Sequence, residues 1–242
     1  MRTRDVTLTS LRARHFRNLE QGDLEFPDAG VAIVGDNGHG KTNLLEAIAY
    51  FAVMRSIRGV RDRDLVRFGE KNFSLTANVD GSNAALPGSG GGGPLTITIG
   101  FEYGVGTTRK QVTVDGVRVR RLSDSFGAIP SVMIAPRDVI IAAGAPGERR
   151  RYLDVLLAMT DRRYLAALQR YRAALVRRNA TLRRAAAQSD TARDAEVAAW
   201  EGALAEAGAI IRSARINWIR SYAARIAWLC QAMGERERVL IR

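Results

Sequence analysis

A single cysteine, Cys230, in 242 residues leaves no disulfide framework and no cluster of thiolate metal ligands. Histidine is nearly as scarce, and His15 and His39 alone do not make a structural zinc site. No uninterrupted apolar run approaches the roughly 18 residues that a membrane-spanning helix needs. The amino terminus, Met1-Arg2-Thr3-Arg4-Asp5, leads into alternating residues rather than the apolar core of a signal peptide. These absences point to a soluble, cytoplasmic chain without a membrane partner. Lysine is almost missing too: Lys41, Lys71 and Lys110 stand against thirty-four arginines. The net charge of +12 implies a polyanionic partner, nucleic acid foremost, although an arginine-rich genome would account for part of it. In such a chain, a lysine inside a glycine-rich loop suggests chemistry that arginine does not supply.

The chain is long enough to bury a full α/β core with an appendage. Val6, Leu8 and Leu11 open one β-like segment, and Leu24 and Phe26 close a second before Pro27. Val31-Ala32-Ile33-Val34 has the composition of a short buried strand. Leu44, Leu45, Ile48, Phe51 and Ala52 then recur at helical spacing, predicting a helix over 42–54. Residues 73–120 read as an antiparallel subdomain, broken by a low-complexity, flexible loop at 81–94. Within it, Asp115-Gly116 between alternating valines predicts a two-residue type I′ hairpin. Val132-Met133-Ile134-Ala135 is expected to be a further buried strand, closed by Pro136.

No proline follows Pro146, and the chain turns helical. Leu157, Tyr164, Leu168, Tyr171, Leu175 and Leu182 mark one apolar seam. After a polar break at Gln188-Ser189-Asp190, Val197, Trp200, Leu204, Ile211 and Trp218 mark another. An antiparallel helical hairpin is expected. The predicted organisation is a lobe at 1–147, a helical arm at 148–234, and at 235–242 the start of a further lobe that the chain lacks. Cys230 is expected to be a small buried hydrophobe.

Between the apolar run and the first helix lies Gly35-Asp36-Asn37-Gly38-His39-Gly40-Lys41-Thr42, which fits the Walker A pattern G-x-x-x-x-G-K-[ST]. Its glycines let the backbone curl so that successive N–H groups face phosphate oxygens, and the helix start adds its positive dipole end. Lys41 would reach the outer phosphates of ATP, and the Thr42 hydroxyl would ligate Mg²⁺. His39 is expected to play no acid–base part, because phosphate-loop chemistry rests on positioning and charge.

These residues carry a resemblance. Phe16-Arg17-Asn18, Val34 through Ile48, Arg55-Ser56-Ile57-Arg58, Pro130 through Pro136, Gly144 through Asp154, Tyr171 and Arg177-Arg178-Asn179 resemble RecF, a family of bacterial DNA replication and repair proteins. The resemblance implies an α/β P-loop NTPase lobe of the ABC-ATPase type, with an antiparallel β subdomain and a helical arm. It implies binding of ATP and Mg²⁺, ATP-dependent dimerisation of two heads on DNA, and work with RecR and RecO in recombinational repair and replication restart. It places Arg17 and Asn18 beside the nucleotide; an arginine there would pair with phosphate or stack on adenine, unless it is only a strand-end arginine. Where the family has Pro-Glu-Asp, this chain has Pro136-Arg137-Asp138, leaving Asp138 as the second metal contact. No Walker B carboxylate pair or signature motif is evident. Alternative expectations are therefore a catalytically inert nucleotide- or DNA-binding module, and an SMC- or Rad50-like head.

From Glu148 to Arg184 eleven arginines face three acids. Arg163, Arg170, Arg177 and Arg184 recur every seven residues, forming one stripe away from the apolar seam. Such a track suits a phosphate backbone without reading sequence, or is a solvated helix face. Arg149-Arg150-Arg151 beside Asp154 suggests an internal ion-pair cluster as readily as a DNA contact.

Overall fold

A computed structural model describes residues 6–81, 93–185, 191–237 and 239. Most of the Gly-rich stretch 81–94, the break at Gln188-Ser189-Asp190, the Arg184 side chain and most of 238–242 lie outside the described residues. The chain divides into two compact units, Met1–Arg137 and Asp138–Arg242.

The first unit is built on a six-stranded antiparallel sheet: β1 (Thr7–Arg14), β2 (Gly22–Glu25), β3 (Asn72–Asp80), β4 (Leu95–Gly104), β5 (Thr107–Val114) and β6 (Val117–Arg118), in the order β2-β1-β3-β4-β5-β6. Strict alternation along β3 and β4 puts every second residue on one face, which helix α1 (Lys41–Val53) covers. The β3–β4 register pairs Phe73 with Phe101, Leu75 with Ile99 and Ala77 with Ile97, all buried. From α1, Leu44, Ala47, Tyr50 and Phe51 join this core, and Phe16, Tyr50 and Phe73 meet edge to face. The β5–β6 turn is the predicted hairpin: Asp115 and Gly116 both have positive φ, and Val114 pairs with Val117.

Two expected strands do not form. Val31–Val34 and Val132–Ala135 have no strand assignment, and Val34, Val132 and Ile134 are 88%, 83% and 89% exposed. An apolar run becomes a strand only when a neighbour accepts its backbone hydrogen bonds, and within this antiparallel sheet neither run has one.

The second unit is helical: α2 (Ile140–Ala143), α3 (Pro146–Thr160), α4 (Arg162–Ala185) and α5 (Thr191–Ala232). Pro146 opens α3 at a position where its missing N–H costs nothing. The Asp161 carboxylate caps α4 by accepting from the backbone N–H groups of Arg163 and Tyr164. Helices α4 and α5 run antiparallel, as Tyr164 against Arg215, Tyr171 against Gly208 and Thr181 against Glu196 show. Their seam follows the predicted one at Tyr164, Leu168 and Ile211, then departs from it toward the C-terminal end of α4. Ala174 and Thr181 are buried where Leu175 and Leu182 were expected, and both leucines are exposed. Small residues line the contact: Ala167, Ala174 and Ala207 are buried, and Gly208 leaves room for the Tyr171 ring, which a Cβ there would meet at 3.5 Å. Cys230 is only half-buried, contrary to expectation, since it lies beyond the stretch of α5 that these contacts pair with α4. None of the described helices is long and apolar enough to cross a membrane.

Candidate nucleotide-binding site

The phosphate loop is shaped by three glycines with positive φ, Gly35, Gly38 and Gly40, a backbone region that side chains with a Cβ rarely enter. Gly40 is the N-cap of α1 in left-handed geometry, with no side chain capping the helix and no acid in its first turn. The first backbone N–H groups of α1 are thus left for an anion. The Lys41 ammonium lies over the loop, donating to the carbonyls of Gly35 (2.6 Å) and Asp36 (2.7 Å). Residues 35–39 are exposed, Thr42 is exposed at the helix start, and Gly40 is buried. A long-stemmed cation, uncapped amides and an accessible hydroxyl fit a polyphosphate with a divalent cation.

The chain after β1 reaches the loop through two non-glycine residues in left-handed conformation, His15 and Arg17. They flank Phe16, which is fully buried and bridged to Val66. His15 is a half-buried residue at the strand end whose Nδ1 lies 3.4 Å from Glu70. The turn brings Asn18 against the loop: its Nδ2 donates to the Gly38 carbonyl (2.8 Å). A Cβ on Gly40 would stand 3.1 Å from Asn18 Oδ1. Arg17 points its guanidinium at Glu46, with Nη2 at 3.2 Å and Nε at 3.3 Å.

Glu46 is the residue that sequence reasoning missed. It is fully buried on α1, where Ser56 Oγ donates to Oε1 (2.5 Å) and Arg17 and Arg58 approach Oε2. A carboxylate between Leu44 and Ala47, on an otherwise apolar face, was the available signal. Arg58 Nη1 also donates to Asn43 Oδ1 (3.3 Å), and Asn43 Nδ2 donates to Asn18 Oδ1 (2.7 Å).

Asp138 sits in a 3₁₀ turn, Pro136–Val139, as the first residue of the second unit. On the preceding side, Arg137 donates to the Ile57 carbonyl. In the helical unit Arg163, Arg170 and Arg177 are exposed, and Arg177 lies over the Trp200 ring at 5.1 Å. Asp154 does not pair with the neighbouring arginine triplet. It accepts from Tyr164, Arg172 and Arg215, while Arg149 donates to the carbonyls of Ile141, Ala142 and Gly144.

A family model described as an AAA domain matches residues 10–124. The DNA replication and repair protein RecF of Thermomicrobium roseum is 33% identical over 235 residues, 97% of this chain and 59% of that protein. RecF of Deinococcus radiodurans is 39% identical over 182 residues, 74% of this chain and 45% of the relative. A solved structure of the recombination mediator protein RecF-ATP in the RecFOR pathway superposes with a TM-score of 0.84 at 28% identity, covering 95% of this chain and 58% of that one. The chain thus spans about three fifths of the length of the Thermomicrobium relative and of that solved chain. In sequence and in fold, it is RecF-like along nearly its whole length.

Proposed function

We propose that this chain binds ATP with Mg²⁺ at Gly35–Thr42 and acts as an ATP-dependent DNA-binding protein of recombinational repair and replication restart. The observation that carries the reading is the loop itself: three positive-φ glycines, an uncapped helix start and the Lys41 ammonium gathered at one point. The likeness to RecF solved with ATP supports the same ligand. Lys41 would hold the outer phosphates, and the Thr42 hydroxyl would ligate the cation, which neutralises phosphate charge when bound. Arg163, Arg170, Arg177 and Arg184 are the proposed DNA track, reading the backbone rather than bases. By analogy with relatives of the RecFOR pathway, RecO and RecR are the proposed protein partners, and ATP would draw two copies together on DNA.

Titration with ATP and Mg²⁺ by calorimetry tests the first step. Losing one charge-assisted contact costs about 1.5–3 kcal/mol, so Lys41→Ala should weaken binding by about 10- to 150-fold. Equal affinity in both proteins would refute the assignment.

A further inference from the structure

Glu46, Arg58, Asn43 and Asn18 form a chain of contacts that ends on the phosphate loop, and its direction is set by chemistry. A guanidinium has donors only. Facing Arg58, Asn43 must therefore present its amide oxygen, which turns Asn43 Nδ2 toward Asn18. Asn18 must then present its own oxygen, which turns its Nδ2 onto the Gly38 carbonyl. The starting point is anchored, because Arg58 Nη1 stands 3.7 Å from the buried Glu46 carboxylate, which Arg17 and Ser56 also hold. The Arg58 backbone N–H closes the far side by donating to Ser56 Oγ (3.1 Å).

We propose that Glu46, Arg58 and Asn43 are positioning residues for the phosphate loop, acting through Asn18 on the Gly38 carbonyl. The proposal rests on the nucleotide reading above and deepens it. The relay holds the loop between two flexible glycines, Gly38 and Gly40, which without a tether have many backbone conformations open to them. Asn18 is the contact to the loop; the other three residues act through it.

A double-mutant cycle on ATP affinity tests this, with thermal unfolding as the folding control. One lost hydrogen bond is worth about 1 kcal/mol, so Asn18→Ala and Arg58→Ala should each weaken ATP by about fivefold. The double variant should also lose about fivefold, rather than the product of about 25-fold, because both changes cut one chain. Arg58→Lys, another donor-only cation, should recover affinity. Asn43→Asp should be more damaging than Asn43→Ala, since it makes Asn18 flip and aim its oxygen at the Gly38 carbonyl; in the Asn18→Ala background that excess should vanish. Amide exchange at 36–40 in the ATP-free protein should rise alike in Asn18→Ala and Arg58→Ala. Multiplicative losses, or an excess penalty of Asn43→Asp that persists without Asn18, would overturn the relay while leaving Lys41-dependent ATP binding intact. Absence of Lys41-dependent binding would overturn both readings.

Discussion

Asp154 is the test of how the helical unit is held together. Its carboxylate on α3 is 11% exposed and accepts from Tyr164 Oη on α4 (2.6 Å) and from Arg215 on α5, so one side chain joins three helices. Arg172 also reaches it, at 3.4 Å, but is 56% exposed against 26% for Arg215. Asp154→Ala would leave the buried Tyr164 hydroxyl without its acceptor and the Arg215 guanidinium without its counter-charge. Breaking a largely buried pair costs about 3–5 kcal/mol; partial exposure of Arg215 puts the expected loss near the lower figure. Arg172→Ala removes a long, solvent-screened contact and should cost less than about 1 kcal/mol. Tyr164→Phe loses the hydrogen bond donated to Asp154 and the one accepted from Arg215 Nε, and should fall between them, at about 1–2 kcal/mol. Because Trp200, Trp218 and Trp228 all lie on α5, tryptophan fluorescence during denaturant unfolding reports on this unit alone. Equal costs for Arg172→Ala and Asp154→Ala would refute the assignment of strength by burial. So would a loss below about 1 kcal/mol for Asp154→Ala, since it would mean that water already satisfies the cluster.

Alkali should weaken the same unit. Burial, reinforced by Asp154, pushes the Tyr164 hydroxyl up to about 12, so its contribution is complete below the ordinary tyrosine range near 10 and is lost as pH rises from there toward 12. Fluorescence-monitored unfolding between pH 9 and 12 should show that decline, and Tyr164→Phe should flatten it. In the loop, Gly40→Ala combines a positive φ with a Cβ too close to Asn18 and Leu19; it should lower ATP affinity severalfold and cost about 1–2 kcal/mol in thermal unfolding. On the arm, Arg163→Ala with Arg170→Ala should reduce the slope of log K against log salt for duplex DNA by about 2, uniformly across sequences. An unchanged slope would remove these residues from the DNA surface.

What could be read in advance was local. The phosphate loop declares itself because glycine at fixed offsets has one conformational use, and the Asp115-Gly116 turn because both residues tolerate positive φ. Val31–Val34 and Val132–Ala135 misled because apolar composition reports what a segment prefers to bury, not which strand will pair with it. The helical seam was legible at Leu157, Tyr164, Leu168 and Ile211, but misled by one row at Leu175 and Leu182 for a related reason. Leucine marks apolar volume, but small residues line the contact as well, as Ala174 on α4 and Gly208 against the Tyr171 ring illustrate. The Glu46 relay was hidden because its members are 18, 43, 46 and 58 in the chain, and only the turn at His15–Arg17 brings the first to the others.

Residue rarity proved more informative than residue abundance. The scarcity of lysine singled out Lys41, and it applies equally to Lys110. That ammonium lies over the Tyr50 ring at 4.7 Å, donates to Asp62 (2.9 Å) and to the Met54 carbonyl, and is held below the ordinary lysine range by burial. A broad, planar guanidinium would have to fit where a compact charge now stacks on one ring and meets two acceptors. Arginine abundance, by contrast, overstated the free positive surface. Arg17 and Arg58 are committed to Glu46, Arg172 and Arg215 to Asp154, Arg149 to three carbonyls, Arg178 to Glu201 and Arg177 to the Trp200 face. A net charge of +12 therefore attracts a polyanion at long range, but the residues that touch it must come from those not already holding the fold. On α4 that argument favours Arg163 and Arg170 over Arg177: moving Arg177 onto a phosphate would first forfeit its cation–π contact, worth about 0.5–1 kcal/mol at an exposed site.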